Sequence, residues 1–567
     1  MGKSFEATKK FIKENLLILV ILLMLFSYLG FKALNENGWD GWGFGSSQTL
    51  VSSKYWAKDG FVKNYFLFLP RPYSKLIHYF DEPEFRNRPI ENFNGELPRN
   101  RVYYTHYPPL YLAPYALLAK IGIESRATFR IFSILISLSA LFLFYLFIKS
   151  ISSRSVAVIA SVYYGLSVTF LNYADSISIQ PFTIFFTFLI LYLSVFTARE
   201  FSAEGGSASG GENIKIYFKY NLIILASYFA LSLSSYDATF FVFAWLVLYD
   251  AVILKKFPWK KWLIFALAPI LGFTLQIFQN VWYLGWADTW QDIFTSYAGR
   301  AIGSLRGFIS GLTAPFVSMT SIKTIFIFKK TIITFLSAIT ILGILWKFKE
   351  KIGLNLNYFK IILILAISAA LQPFFINVTG HWPYQGVLTA PFWGLLVGTS
   401  SSFLLQYIAV LKYSKGKALF MTLFLIVLGL WSIRFYDTFN YVKDWPNNRP
   451  DQKVIEFSRV IKTIEPNSER LAFRIIPKNP IWKSSFPIFN MEYYMGMPTI
   501  DFANTKDLLV DFNWFQNRSE YPFYSFIISE NKMEIESLRN EIKKTPPVSI
   551  SEMKNIQGQY LFIVNLE

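Results

Sequence analysis

From residue 16 to about residue 435 the chain is a succession of apolar runs, most close to twenty residues long, separated by polar connectors. Twenty residues of helix measure about 30 Å, the hydrocarbon thickness of a bilayer. In that solvent each backbone N–H and C=O must be paired inside its own segment, so repeated runs of this length point to transmembrane helices. Eleven runs can be drawn, at 16–34, 128–148, 156–171, 179–197, 220–235, 238–254, 262–284, 325–346, 360–376, 386–405 and 418–435. The expected fold class is an α-helical polytopic membrane protein of about eleven transmembrane helices, with a small C-terminal α/β domain outside the cytoplasm.

Composition agrees with a lipid-exposed chain. Only 16% of residues are charged, against about 25% in soluble domains. The 58 Phe, 33 Tyr and 16 Trp suit aromatic belts at both membrane interfaces. The net charge of +18 does not imply nucleic acid, because Lys and Arg gather in short connectors rather than on one basic face. With no cysteine there is no disulfide framework, thiolate metal site or cysteine nucleophile. The basic start (Lys9, Lys10, Lys13) and first apolar run also fit a signal peptide. The run is as long as a span, however, and no small-residue cleavage site follows it.

The connectors set sidedness. Lys3, Lys9, Lys10 and Lys13 precede the first run; Lys149 and Arg154, then Arg199, Lys215 and Lys219, follow the second and fourth. Lys255-Lys256-Phe257-Pro258-Trp259-Lys260-Lys261 is the strongest such connector, with further lysines at 347, 349, 351, 412, 415 and 417. With eleven spans all of these fall on one side, which the positive-inside rule makes cytoplasmic. The Gly/Ser-rich segment 205–211 is then a flexible cytoplasmic loop.

The opposite side receives the chemically unusual residues. Asp40 lies in Gly38-Trp39-Asp40-Gly41-Trp42-Gly43. It fits a general base whose flanking glycines admit close approach and whose Trp39 stacks on a sugar, and equally a loop Asp between interfacial tryptophans. His106, in Thr105-His106-Tyr107-Pro108-Pro109, fits a donor to phosphate or sugar, a partner of Asp40, or a turn-capping residue. The three histidines, His78, His106 and His381, have no spacing that argues for zinc. Asp175 fits a second carboxylate on a divalent metal, with Asp40, or an N-cap of the next helix. Asp237, His381 and Tyr384 share the same face. Arg130, Arg300, Arg306, Lys323, Lys329 and Lys330 break the charge bias on this side. They fit a clamp on an anionic phosphate, or snorkelling side chains. Residues 291–309 are amphipathic enough to lie flat in the interface.

Two domains are expected. Residues 1–436 form the membrane part, with an outer loop at 35–127, and 437–567 form an extracytoplasmic soluble α/β domain. In the latter, 453–464 and 533–542 have helical spacing, and 471–476, 524–528 and 560–564 read as strands.

Together these features resemble the GT-C superfamily of membrane glycosyltransferases that use polyprenyl-phosphate sugar donors, most of all its protein O-mannosyltransferase and aminoarabinose-transferase branch. The resemblance covers about 16–405. It rests on Asp40 after the first run, the return His106-x-Pro108-Pro109-Leu110, Arg130 opening the second run, Asp175 after the third, and Gln279-Asn280-Val281-Trp282-Tyr283-Leu284-Gly285. It implies a GT-C-like fold and inverting transfer, with Asp40 taking the acceptor hydroxyl's proton, positive charge on the leaving lipid phosphate, and a divalent metal, Mg or Mn, as an optional cofactor. The branch's usual Asp-Glu pair is Asp40-Gly41 here, so Asp59, Asp81, Glu82 and Glu84 are alternative bases. The implied partners are a polyprenyl-phosphate sugar, an acceptor glycan, lipid or protein, and membrane lipids, with no nucleic acid. The implied location is the cytoplasmic (inner) membrane, with the active site outside. The rival readings are a transporter or lipid flippase, which calls for paired intramembrane charges, and an outer-face scaffold.

Overall fold

The structure, a computed structural model, describes residues 2–34, 43–71, 102–105, 108–203, 211–301, 321–354, 356–375, 388–410, 417–444, 452–464, 471–475, 499–502, 505, 508–509, 524–529, 531–544, 548–556 and 558–566. In chain order its helices are α1 (Gly2–Leu34), α2 (Gly43–Asp59), α3 (Leu112–Lys120), α4 (Arg126–Ile151), α5 (Arg154–Gly165), α6 (Val168–Tyr173) and α7 (Ile179–Ala203). Then come α8 (Gly211–Ser232), α9 (Tyr236–Leu248), α10 (Trp259–Leu284), α11 (Trp286–Ala301), α12 (Ser321–Trp346), α13 (Leu356–Phe375), α14 (Ala390–Val410) and α15 (Lys417–Asp444). Two more, α16 (Gln452–Ile464) and α17 (Lys532–Ile542), follow.

The chain forms two compact units. One contains Met1–Leu34, Thr105–Tyr111 and Ala127–Trp445; the other contains Asn35–Tyr104, Leu112–Arg126 and Pro446–Glu567. The sequence boundary at 436/437 leaves 35–127 with the membrane helices, whereas most of that segment groups here with the C-terminal residues.

In the first unit every apolar run carries helix. Among the described residues, the helices over Lys13–Leu34, Arg126–Ile151, Ile179–Arg199 and Trp259–Leu284 are long and apolar enough to cross a membrane. The apolar stretches Phe218–Ser232, Ala238–Ile253, Ile333–Trp346 and Leu356–Leu371 are shorter. The run 156–171, read as one span, is two helices. Gly165 ends α5, and the Ser167 hydroxyl caps α6 by accepting from the Phe170 N–H at 3.1 Å. Glycine in a helix and a serine that bonds local backbone both favour such a break.

The core of this unit is aromatic. Trp245, Tyr145, Tyr228, Phe144 and Phe188 are fully buried. The Trp245 ring meets Phe147 edge-on at 5.2 Å, and its N–H reaches the Ser194 hydroxyl at 3.0 Å. Helices pack closely where side chains are small, as in membrane interiors generally. A Cβ at Gly398 of α14 would sit 2.9 Å from the Val156 carbonyl of α5, and one at Gly394 would sit 2.6 Å from Phe144 of α4. Ser155 and Ser402 bridge the α5–α14 pair at 2.7 Å.

The second unit holds two sheets. Strand β1 (Phe68–Arg71) pairs antiparallel with β2 (Val102–Tyr104) beside α2 and α3. The Trp56 N–H to the Leu67 carbonyl and the Tyr103 hydroxyl to Asn64, each 2.9 Å, fix the approach of α2 to this ribbon. The larger sheet contains β3 (Leu471–Ile475), β4 (Thr499–Phe502), β5 (Tyr524–Ser529), β6 (Val548–Ile550), β7 (Lys554–Ile556) and β8 (Gln559–Leu566). Its order is β4-β3-β5-β8-β6, with β7 also paired to β8; β3 runs parallel to β4 and β5, and β8 antiparallel to β5.

Alternation sorts the sheet residues to two faces. Ile475, Ile527, Phe562 and Val564 pack with Ile535, Leu538 and Ile542 of α17. Phe526, Ile528 and Leu561 pack with Phe457 and Ile461 of α16. The Asn531 side chain caps α17 through the Met533 and Glu534 N–H groups.

Candidate functional site

Three ionisable side chains meet inside the helical unit. Lys32 projects from the last turn of α1, Arg130 from the first turns of α4, and Asp175 from the turn between α6 and α7. All three are fully buried. The Lys32 ammonium lies 2.8 Å from Asp175 Oδ1 and donates to the Leu171 carbonyl and the Tyr441 hydroxyl, each at 3.0 Å. The Arg130 guanidinium forks onto Asp175 Oδ2 through Nε, at 3.1 Å, and Nη2. Tyr441 of α15 donates onward to Asn172 Oδ1 at 3.1 Å. The Ser137 hydroxyl of α4 holds the Ala174 carbonyl at 2.9 Å. A charge taken out of water persists only when paired and hydrogen-bonded. Here one carboxylate serves two cations and draws α1, α4 and the α6–α7 turn together, with Lys32 adding α15. Burial pushes the Asp175 carboxyl up, but Lys32 and Arg130 more than offset this and hold it below the usual carboxylate range.

This arrangement revises two sequence assignments. Asp175, read as a metal ligand or an N-cap, has both oxygens on cations, where a divalent metal would meet two positive charges. Arg130, read as a clamp on donor phosphate, is buried and paired with Asp175. Among the described residues no group of three His, Asp or Glu side chains could hold a metal, and Asp40, the other carboxylate of the expected metal site, lies outside them.

A second polar cluster fixes Thr105 against α10 and α11. The Thr105 hydroxyl donates to buried Asp292 of α11 at 2.5 Å. The Thr105 carbonyl accepts from Asn280 at 3.1 Å and from Gln276 at 3.4 Å, both on α10. Five residues further along, Leu110 N–H reaches the Leu233 carbonyl at 2.9 Å. The α11 helix is amphipathic as its sequence implies: Thr289 and Asp292 are buried, while Trp286 and Phe294 are exposed.

Asp40, Trp39, His78, His106, His381, Tyr384, Arg306, Asp81, Glu82 and Glu84 lie outside the described residues. Arg300 sits on α11, Lys323, Lys329 and Lys330 on α12, and Asp237 on α9, with side chains outside those described. Asp59 closes α2. Sequence reasoning passed over Lys32, Asp292 and Tyr441. Lys32 follows Phe31 at the end of an apolar run and so resembles an ordinary snorkelling lysine. The available signal was that its own helix offers no acid within reach, so a buried Lys32 needs one elsewhere.

No family model matches the sequence, and no curated protein matches it by sequence. Solved structures do match by shape. ArnT from Cupriavidus metallidurans bound to undecaprenyl phosphate aligns over 96% of this chain and 97% of its own, with a TM-score of 0.53 at 10% identity. The archaeal oligosaccharyltransferase AglB from Archaeoglobus fulgidus, in complex with an inhibitory peptide and a dolichol-phosphate, aligns over 91% of this chain and 70% of its own, with a TM-score of 0.51 at 11% identity. Both are GT-C glycosyltransferases. The chain has the GT-C fold. The GT-C likeness runs through both units of the chain, and with ArnT through nearly the whole of each protein.

Proposed function

We propose that the chain is a membrane glycosyltransferase that moves a sugar from a polyprenyl-phosphate donor to an acceptor hydroxyl at the outer face of the cytoplasmic membrane. The observation that supports this most is the end-to-end likeness to ArnT bound to undecaprenyl phosphate. In the proposed step the acceptor oxygen attacks the anomeric carbon from the face opposite the phosphate. Asp40 takes the acceptor's proton as the carbon–oxygen bond to the phosphate breaks. Inverted glycoside and free polyprenyl phosphate result. His106 steadies the sugar or the phosphate. Charge on the leaving phosphate is met by Arg300, Arg306, Lys323, Lys329 and Lys330. Trp39, His381, Tyr384 and Asp237 complete the same face. Asp175, Arg130 and Lys32, being buried and paired with one another, hold the fold rather than enter the chemistry.

One observation favours the transporter reading. Lys32, Arg130 and Asp175 are buried paired charges, a feature of ion-coupled carriers. They sit at helix ends rather than mid-helix, since Lys32 is in the last turn of α1 and Arg130 in the first turns of α4. The test is the purified chain in liposomes with a labelled polyprenyl-phosphate sugar. Transfer yields labelled acceptor and an equal amount of polyprenyl phosphate. A flippase moves intact donor across the bilayer and yields neither.

A further inference from the structure

The connector between α9 and α10 carries more positive charge than its ion pairs among the described residues neutralise. After α9 the chain makes a π-helical turn, Tyr249–Ile253, and buries Asp250 within it. Asp250 accepts from the Lys261 ammonium at 2.9 and 3.0 Å and from the Trp262 N–H at 3.0 Å, and its carbonyl accepts from the Lys256 N–H at 3.0 Å. The Phe257 ring stands edge-on to Trp262 at 4.4 Å. Lys255 is held at φ 52°, a left-handed conformation uncommon for a long side chain. The connector is thus a built platform rather than a slack loop.

The acid at its start, Asp250, is already paired. From Ala251 to Lys261 the sequence has four lysines and no Asp or Glu, and Asp250 takes Lys261. Lys255, Lys256 and Lys260 are exposed and form no ion pair among the described residues, and Lys260 lies over the Trp259 ring at 5.6 Å. Beside them Phe257 is 76% exposed and Trp259 54% exposed. Other connectors differ: Lys149 faces Glu14 at 4.0 Å, and Glu350 lies between Lys349 and Lys351. Two of the three lysines flank the exposed Phe257–Trp259 pair along the chain. That pattern matches an anionic headgroup joined to glycerol and acyl chain.

We propose that residues 255–260 form a docking surface for an anionic phospholipid, with Lys255, Lys256 and Lys260 on its phosphate and Phe257 and Trp259 against its apolar part. This lipid is not the sugar donor. The platform opens α10, whereas Asn280, which holds Thr105, lies near its other end, and 26 residues of helix separate those ends by about 39 Å.

The test uses the intact chain in phosphatidylcholine nanodiscs containing phosphatidylglycerol, released for native mass spectrometry. The readout is phosphatidylglycerol retained per chain relative to phosphatidylcholine. Each lysine near an anionic headgroup is worth about fivefold in affinity, so the triple variant K255Q/K256Q/K260Q should lose about 10²-fold of that preference. The corresponding triple arginine variant should keep it. Charge also orients membrane proteins, so K260Q alone, with Lys255 and Lys256 in place, should show its own loss of about fivefold. The proposal is overturned if K260Q and the triple variant retain phosphatidylglycerol as wild type does. It is also overturned if both lipids are lost together, or if an acidic peptide, but not phosphatidylglycerol, binds in a lysine-dependent way.

Discussion

Lys32, Arg130 and Asp175 carry two positive charges and one negative where water does not reach, so the three residues are not equivalent. Removing Asp175 leaves two buried cations facing each other, and breaking a buried ion pair in this way costs about 3–5 kcal/mol. Removing Lys32 leaves Arg130 and Asp175 as a balanced pair and forfeits hydrogen bonds worth about 1–2 kcal/mol. In detergent, Asp175→Asn should therefore melt far below wild type and Lys32→Met only slightly below. Added Mg or Mn should not restore the Asp175→Asn protein, since its defect is unpaired charge. Equal melting temperatures for the two variants would contradict this reading of the cluster. Thr105 offers a second test, because its hydroxyl is bonded to the buried Asp292 carboxylate. Thr105→Val should cost about 1.5–3 kcal/mol, seen as lost thermal stability. Asp175 and Arg130 were visible in the sequence as charges out of place, but their partnership was not. They are 45 residues apart, and each alone fits a phosphate or metal role as well as an ion pair.

At the scale of helices, the apolar runs read well because length and hydropathy are properties of the local sequence. The run 156–171 read poorly because apolar content hides a break that depends on two small residues, Gly165 and Ser167. Close helix contacts were also hidden, since a glycine in an apolar run marks either a weak point or a place where another backbone comes near. Gly398 is the second kind, with the Val156 carbonyl and Ala160 against the position its Cβ would take. Gly398→Leu should force α14 from α5 and destabilise the bundle by about 1–3 kcal/mol, whereas Gly429→Leu, where a Cβ meets nothing within 4 Å, should be close to neutral. A thermal melt of both variants in one detergent decides it. Helix α11 shows pattern and structure in agreement, with Asp292 inward and Trp286 and Phe294 outward.

For the whole molecule, the lysine-rich connectors and the run count lead us to propose that the tail after residue 437 shares the side of the membrane on which the sequence puts Asp40. Protease added to right-side-out vesicles from cells whose envelope has been opened should remove the tail, and a protected tail would mean a miscounted span. The fold class was legible because the length and hydropathy of the apolar runs are local properties, while the shape is shared with solved structures at only 10–11% identity. The chemistry was less legible, because a general base is a single carboxylate with no pattern of its own. The most direct test of the proposed function is sugar transfer by Asp40→Asn in liposomes containing a polyprenyl-phosphate sugar. Asparagine keeps the size of the side chain but cannot take the acceptor's proton. Transfer should fall by at least about 10²-fold while the folded protein still binds the donor. Near-wild-type transfer by Asp40→Asn, with Asp59, Asp81, Glu82 or Glu84 indispensable instead, would remove Asp40 as the base. Undiminished transfer in all five variants would contradict the carboxylate-assisted mechanism itself.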